Sequence, residues 1–138
     1  MLNHITIMGR LTKDPELRRT GSGVAVTSFT LAVDRDIPNK ESGERDVDFI
    51  DCVAWRGVGE FVDKHFSKGR IAVVSGRLQM RNWIDKEGNK RRSAEVVADN
   101  VYFGDSKKEE VKQTTSYSAP APAQDFQQID DEDAQLPF

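Results

Sequence analysis

The sequence predicts an all-β fold, a small closed barrel carrying one helix. Three observations lead there. Most of the first 103 residues fall into β-branched and aromatic runs separated by Gly, Pro, Asn and Asp. Only one stretch, near residues 58–66, repeats its apolar residues at helical spacing. After Gly104 the patterning stops altogether.

The segments follow in order. Ile5, Ile7 and their apolar neighbours give a first strand ending near Leu11, and Asp14-Pro15 and Gly21-Ser22-Gly23 break the chain after it. Val24 to Val33, rich in Val, Thr and Phe, is a second strand. Asp36 to Asp46 is polar, holds Pro38 and Gly43, and reads as a flexible hairpin loop before a third strand from Val47 to Arg56. Val58, Phe61, Val62, His65 and Phe66 form the helical face, with Gly69 as a stop. Ile71 to Ile84 and Lys90 to Phe103 are two long strands joined by the turn Asp85-Lys86-Glu87-Gly88-Asn89. Five strands with a helix between the third and fourth is the layout of an OB-fold, a five-stranded Greek-key barrel that often binds oligonucleotides.

Composition narrows the function. Residues 1–103 hold 17 Lys and Arg against 15 Asp and Glu, while residues 104–138 hold 3 against 8. A mildly basic body with an acidic tail points to a polyanion-binding domain whose tail meets something else. One cysteine permits no internal disulfide. No apolar run approaches the roughly 20 residues that span a bilayer, and the N-terminus shows no leader pattern. A soluble, cytoplasmic, nucleoid-associated protein without membrane contact is expected. His4 and His65 stand far apart, Cys52 falls on an interior parity, and there is no Gly-rich phosphate loop. No catalytic residue, metal site or cofactor is therefore predicted, and the chain reads as a non-enzyme.

Strand parity locates the binding chemistry. In the third strand Ile50, Cys52 and Ala54 share the barrel side, and Phe49, Asp51, Val53 and Trp55 share the other. Phe49 and Trp55 are then about 20 Å apart on one face. In the next strand Ala72, Val74, Leu78 and Met80 take the apolar parity, so Trp83 stands with Arg77, Gln79 and Arg81 on the polar one. Aromatics among arginines on a wet sheet face suit single-stranded nucleic acid, because unpaired bases stack on the rings while cations neutralise phosphate. The basic candidates on loops and polar faces include Lys13, Arg18, Lys40, Arg56, Lys68, Arg77, Arg81 and Arg91, with Lys90-Arg91-Arg92 the densest cluster.

The composition of Ser116 to Ala123 is that of a linker, and residues 105–129 are expected to be a disordered tether. As a flexible coil it would span roughly 30 Å. The chain then ends in Asp130, Asp131, Glu132, Asp133, Ala134, Gln135, Leu136, Pro137 and Phe138. An acidic run finishing in an apolar tip with a carboxylate reads as a docking peptide for another protein.

Taken together, Gly9-Arg10-Leu11-Thr12-Lys13-Asp14-Pro15-Glu16-Leu17-Arg18, Phe29-Thr30-Leu31-Ala32-Val33, Ser42-Gly43-Glu44, Gly76-Arg77-Leu78-Gln79-Met80-Arg81-Asn82-Trp83 and the acidic tip ending in Leu-Pro-Phe resemble the bacterial-type single-stranded DNA-binding proteins. The resemblance covers essentially the whole chain. It implies a homotetramer of OB-folds, residues 1–104 in each, that coats and protects single-stranded DNA without sequence preference during replication, recombination and repair. It also implies a tip, residues 130–138, that recruits partner enzymes. It puts stacking aromatics at Phe49, Trp55 and Trp83, and phosphate-contacting cations at Arg18, Lys40, Lys68, Arg81 and Arg91. The sequence departs from the family pattern at Ile37, where an aromatic is common, and at Ala134-Gln135, where acids usually run straight into the terminal tripeptide. Two other readings remain open: an oligomerising adaptor acting mainly through its tail, and an RNA-binding OB protein, since stacking alone does not read the 2′-OH.

Overall fold

The computed structural model describes residues 1–106. In order these form β1 (Ile5–Leu11), β2 (Glu16–Arg19), β3 (Ala25–Asp34), β4 (Val47–Trp55), α1 (Arg56–His65), β5 (Ile71–Ile84) and β6 (Lys90–Phe103). All five expected strands are present, and the helix lies between the third and fourth of them. The addition is β2. Three of its four residues are charged and only Leu17 turns partly inward, so nothing in its hydropathy marks a strand. It exists because β3 offers an edge, and Glu16 to Arg19 ladder onto Ser28 to Ala25. At the other boundary, Arg56 opens the helix rather than closing the strand.

The strands form one sheet in the order β1-β5-β6-β4-β3-β2, and a further pairing of β1 with β3 closes it into the OB-fold barrel. Among the described residues the one parallel contact joins β4 to β6 over Cys52–Ala54 and Val96–Ala98. Inside, Phe29, Leu31, Cys52, Ala54, Val74 and Val96 pack with Val62 and Phe66 of the helix segment. Burying a side chain of this size contributes about 1.5–3 kcal/mol. The helix lies close against the barrel because Gly59 has no side chain, and the Thr27 hydroxyl donates to its carbonyl oxygen at 2.7 Å. Cys52 is buried, and that burial, with the charge of Asp51 beside it, pushes its thiol pKa up to about 12, so the sulfur stays protonated at neutral pH.

β5 and β6 outrun the barrel. β1 pairs with β5 only as far as Gly76, yet the β5–β6 ladder continues to Ile84 and Lys90. A bulge marks the change: Ser75 faces Asn100 and Gly76 faces Ala98, leaving Asp99 as the extra residue. Leu78 and Met80 keep the apolar parity of Ala72 and Val74 but not their burial; they are 42% and 51% exposed, because among the described residues no element covers the arm. At the far end of β6, Asp105 accepts bonds from the Arg70 side chain at 3.1 Å and the Ile71 backbone N–H at 3.2 Å. Among the described residues no helix is long and apolar enough to cross a membrane. The linker beyond residue 106 and the acidic tip lie outside the described residues.

Candidate nucleic-acid interface

Paired residues in a sheet point to the same side, so the registers show which side chains share a face. Arg18 faces Val26, and Val26 faces Trp55. Val53 faces Val97, and Val97 faces Arg77. Continuing in steps of two places Phe49 and Asp51 on this side of β4, and Gln79, Arg81 and Trp83 on this side of β5. The outer face of β2-β3-β4-β6-β5 therefore carries Arg18, Phe49, Trp55, Arg77, Arg81, Trp83 and Arg91 together. Beneath it Val26, Val53 and Val97 form a small buried cluster separate from the barrel core, a firm floor for what stands above.

The three aromatics are available on this floor. Phe49 is 69% exposed, Trp55 45% and Trp83 42%. An isolated apolar side chain at a surface is ordinary, but three on one charged face form a pattern. Trp83 is oriented by its indole N–H, which donates to the Ser93 hydroxyl at 2.7 Å. Beside it a depression of about 530 Å³ is lined by Trp83, Ile84, Lys90, Arg91 and Arg92, so the basic cluster and the indole meet as the hairpin pairing predicts.

Arg56 follows Trp55 directly and has φ of +56°, a left-handed conformation costing a non-glycine residue roughly 1–2 kcal/mol. The strain sits where the strand turns into the helix, at the edge of the aromatic face, and strained backbone of this kind clusters at functional positions. The remaining cations are more dispersed. Lys40 is exposed in the β3–β4 hairpin together with Ile37, which is 78% exposed. The base of this loop is more ordered than its composition suggests: Arg35 grips Asp48 through two bonds of 3.0 and 2.9 Å, which hold the Asp48 carboxyl below its ordinary range. Lys68 lies in the turn between α1 and β5, off the strands of the face, and its backbone N–H donates to Asp14 at 2.8 Å. The register does not bring Lys40 or Lys68 beside the aromatics.

Arg91 is on the face but engaged, its Nε donating to Asp85 at 2.9 Å. Asp85 also accepts the backbone N–H groups of Asn89 at 2.8 Å and Glu87 at 3.0 Å. The Asn89 bond, then the Arg91 side chain, hold the Asp85 carboxyl below its ordinary value. The unfolded reference is about 3.9. A depressed folded value stabilises the hairpin turn above that pH, and the contribution disappears as pH falls through the folded value. An NMR titration of the side-chain carboxyls is expected to show Asp85 ionising below the ordinary aspartate value, with turn amides losing exchange protection over the same interval. An ordinary midpoint for Asp85 would refute the assignment.

Sequence reasoning passed over part of this surface. A second depression, of about 230 Å³, opens between β4 and β6, and Lys13 lines it together with Arg81, Asp51 and Glu95. Lys13 stood out in the sequence only as one cation among many. Asp51 shares the parity of Phe49 and Trp55, which was the signal available. Among the described residues no group of three or more His, Cys, Asp or Glu side chains is arranged to hold a metal ion. Asp130 to Phe138 lie outside the described residues.

Comparison with known proteins gives the family. Residues 2–104 match the profile described as the Single-strand binding protein family. The chain is 48% identical over 116 residues to Single-stranded DNA-binding protein 2 of Listeria monocytogenes, covering 84% of this chain and 72% of that protein. It is 52% identical over 103 residues to Single-stranded DNA-binding protein A of Bacillus subtilis, covering 75% and 59%. A Single-stranded DNA-binding protein of Staphylococcus aureus is 43% identical over 159 aligned positions that take in the whole of both chains.

Proposed function

The chain belongs to the single-strand binding protein family, and from that premise we propose that it binds single-stranded DNA by stacking bases on Phe49, Trp55 and Trp83. One observation carries the reading: the strand registers bring these exposed rings and the guanidinium groups of Arg18, Arg77 and Arg81 onto one face. Stacking uses the π-surface every base possesses, so it is tolerant of sequence, and the cations supply the phosphate term. Arg56, Lys40, Lys68 and Arg91 extend the cationic path along the loops and the hairpin arm. The action is coating: it makes and breaks no covalent bond, and it keeps exposed strands unpaired and protected during replication, recombination and repair.

The proposed organisation is a binding domain over residues 1–104, a tether over 105–129 and a docking tip over 130–138. The protein acts as a homotetramer in the cytoplasm, at the nucleoid, where its DNA is. Asp130, Asp131, Glu132 and Asp133 supply charge for a basic partner surface, and Leu136, Pro137 and Phe138 supply the apolar grip that recruits replication, recombination and repair enzymes. This tail assignment rests on the acidic run and the apolar end of the sequence itself.

Titration with oligothymidine tests the reading. The fluorescence of the two tryptophans is expected to fall as bases stack on them. The affinity is expected to drop by orders of magnitude on going from about 50 to 200 mM salt if several phosphates are neutralised. The same titration on a chain ending at residue 129 is expected to give equal or slightly tighter binding at low salt, since the tip is itself polyanionic. Unchanged emission with no binding at low salt would refute the proposal.

A further inference from the structure

The arm that carries Trp83 is fastened to the barrel one rung past the point where strand pairing ends. β1 pairs with β5 from Arg10↔Ile71 to Ile5↔Gly76. Carried on by two residues, that register sets Asn3 opposite Leu78. The ladder has ended by then, and the Asn3 side chain takes its place. Its Nδ2 donates to the Leu78 carbonyl at 2.8 Å, and its Oδ1 accepts the Leu78 N–H at 3.1 Å. A carboxamide has a donor side and an acceptor side, so it copies a peptide group and closes both bonds of an antiparallel rung at once. An ionised aspartate could not donate, and an apolar residue could do neither.

Past this rung the arm stands on its own. The side-chain bonds of Gln79, Trp83 and Arg91 end on Glu95, Ser93 and Asp85, all within the hairpin. Among the described residues no hydrogen bond or ion pair joins residues 79–94 to the barrel. Trp83 lies five residues beyond Leu78, about 17 Å at strand rise, so a swing of about 10° at the rung carries the indole about 3 Å. That is close to the thickness of a stacked base. Phe49 and Trp55 stand on β4 and do not move with the arm. A platform that swings must be ordered whenever a base lands on it, and that ordering subtracts from affinity.

Resting on the DNA-binding reading, we infer that Asn3 is a positioning residue for the DNA track. By closing the last rung on Leu78 it holds the arm, and Trp83 with it, at a fixed distance from the platforms on β4.

The test is a double-mutant cycle on the full chain, with Asn3→Ala and Trp83→Ala made singly and together. Binding is read from the anisotropy of labelled oligothymidine at one salt concentration. Asn3→Ala is expected to lower affinity by about fivefold, the worth of one net hydrogen bond. In the Trp83→Ala background the same change is expected to cost less than about twofold, because the platform it positions is gone. An equal loss in both backgrounds would mean that Asn3 serves the barrel or meets DNA itself, and no loss in either would mean that the arm needs no clamp; both results overturn the inference. Amide exchange gives a second reading. The Leu78 N–H is expected to be protected in the intact chain and to exchange freely in Asn3→Ala, while Val74 and Val96 in the barrel keep their protection. Protection lost at all three would show general destabilisation and overturn the positioning role. A Trp83→Ala chain that binds as tightly as the parent would instead remove the stacking reading on which the inference stands.

Discussion

A chain carrying Trp55→Ala together with Trp83→Ala loses at least about thirtyfold in affinity for single-stranded DNA, because each stacked base is worth roughly 1–3 kcal/mol and two platforms are removed. The barrel survives the change. Both indoles are more than two-fifths exposed and neither belongs to the core cluster. Among the described residues the side-chain hydrogen bond given up is that of Trp83 to Ser93, a loss of about 1 kcal/mol. Since the double variant has no tryptophan left, binding is read from the anisotropy of labelled oligothymidine, and folding from far-UV circular dichroism and a melt. Unchanged affinity in a folded variant would assign the aromatics to some other surface and favour the adaptor reading, in which the barrel only oligomerises.

Gly76→Ala is expected to be the most damaging single substitution to the fold. Gly76 sits at the bulge where β5 leaves the barrel, and a Cβ built on it would fall inside the van der Waals shell of the Val97 carbonyl. The obstacle is backbone, so no side-chain rotation relieves it. Overpacking a core typically costs 1–3 kcal/mol, and a clash against a strand whose neighbours Val96 and Ala98 are buried leaves little room to relax. A loss of about 3 kcal/mol or more in chemical denaturation is expected. An alanine variant as stable as the parent would mean that β6 can shift at Val97, and the close approach would then not define the arm.

The sequence read well wherever one period ruled. The alternation of Ile50, Cys52 and Ala54 against Phe49, Asp51 and Trp55 separated the interior of β4 from its outer side, and the helical spacing of Val58, Val62 and Phe66 marked α1. It read poorly where tertiary pairing outweighed local pattern. β2 is a strand only because β3 has an open edge, and Glu-Leu-Arg-Arg has no alternation to reveal it. Leu78 and Met80 have the parity of core residues, but parity does not say where a barrel stops, and the hairpin continues past it. Arg56 illustrates a third kind of difficulty: nothing in Trp-Arg-Gly announces that arginine rather than glycine takes the left-handed position. The candidate site was legible one strand at a time. That its strands are neighbours, and that Asp51 and Glu95 line one depression, depended on the three-residue contact of β4 with β6.

That short parallel contact also bears on the order in which the surface comes into being. β4 and β5 are never partners; across the face that carries the aromatics, the strand bearing Trp55 and the strand bearing Trp83 are bridged by β6, the last strand of the barrel, while the other way round the barrel runs through β1. A chain emerging from the ribosome can pair β3 with β4 as an antiparallel hairpin early, but the continuous face waits for residues 90–103. Contacts between distant segments form late and slowly because closing the loop must precede any gain from pairing. A nascent or truncated barrel therefore holds isolated aromatics rather than a track for DNA, and competence to bind arrives all at once, with the final strand.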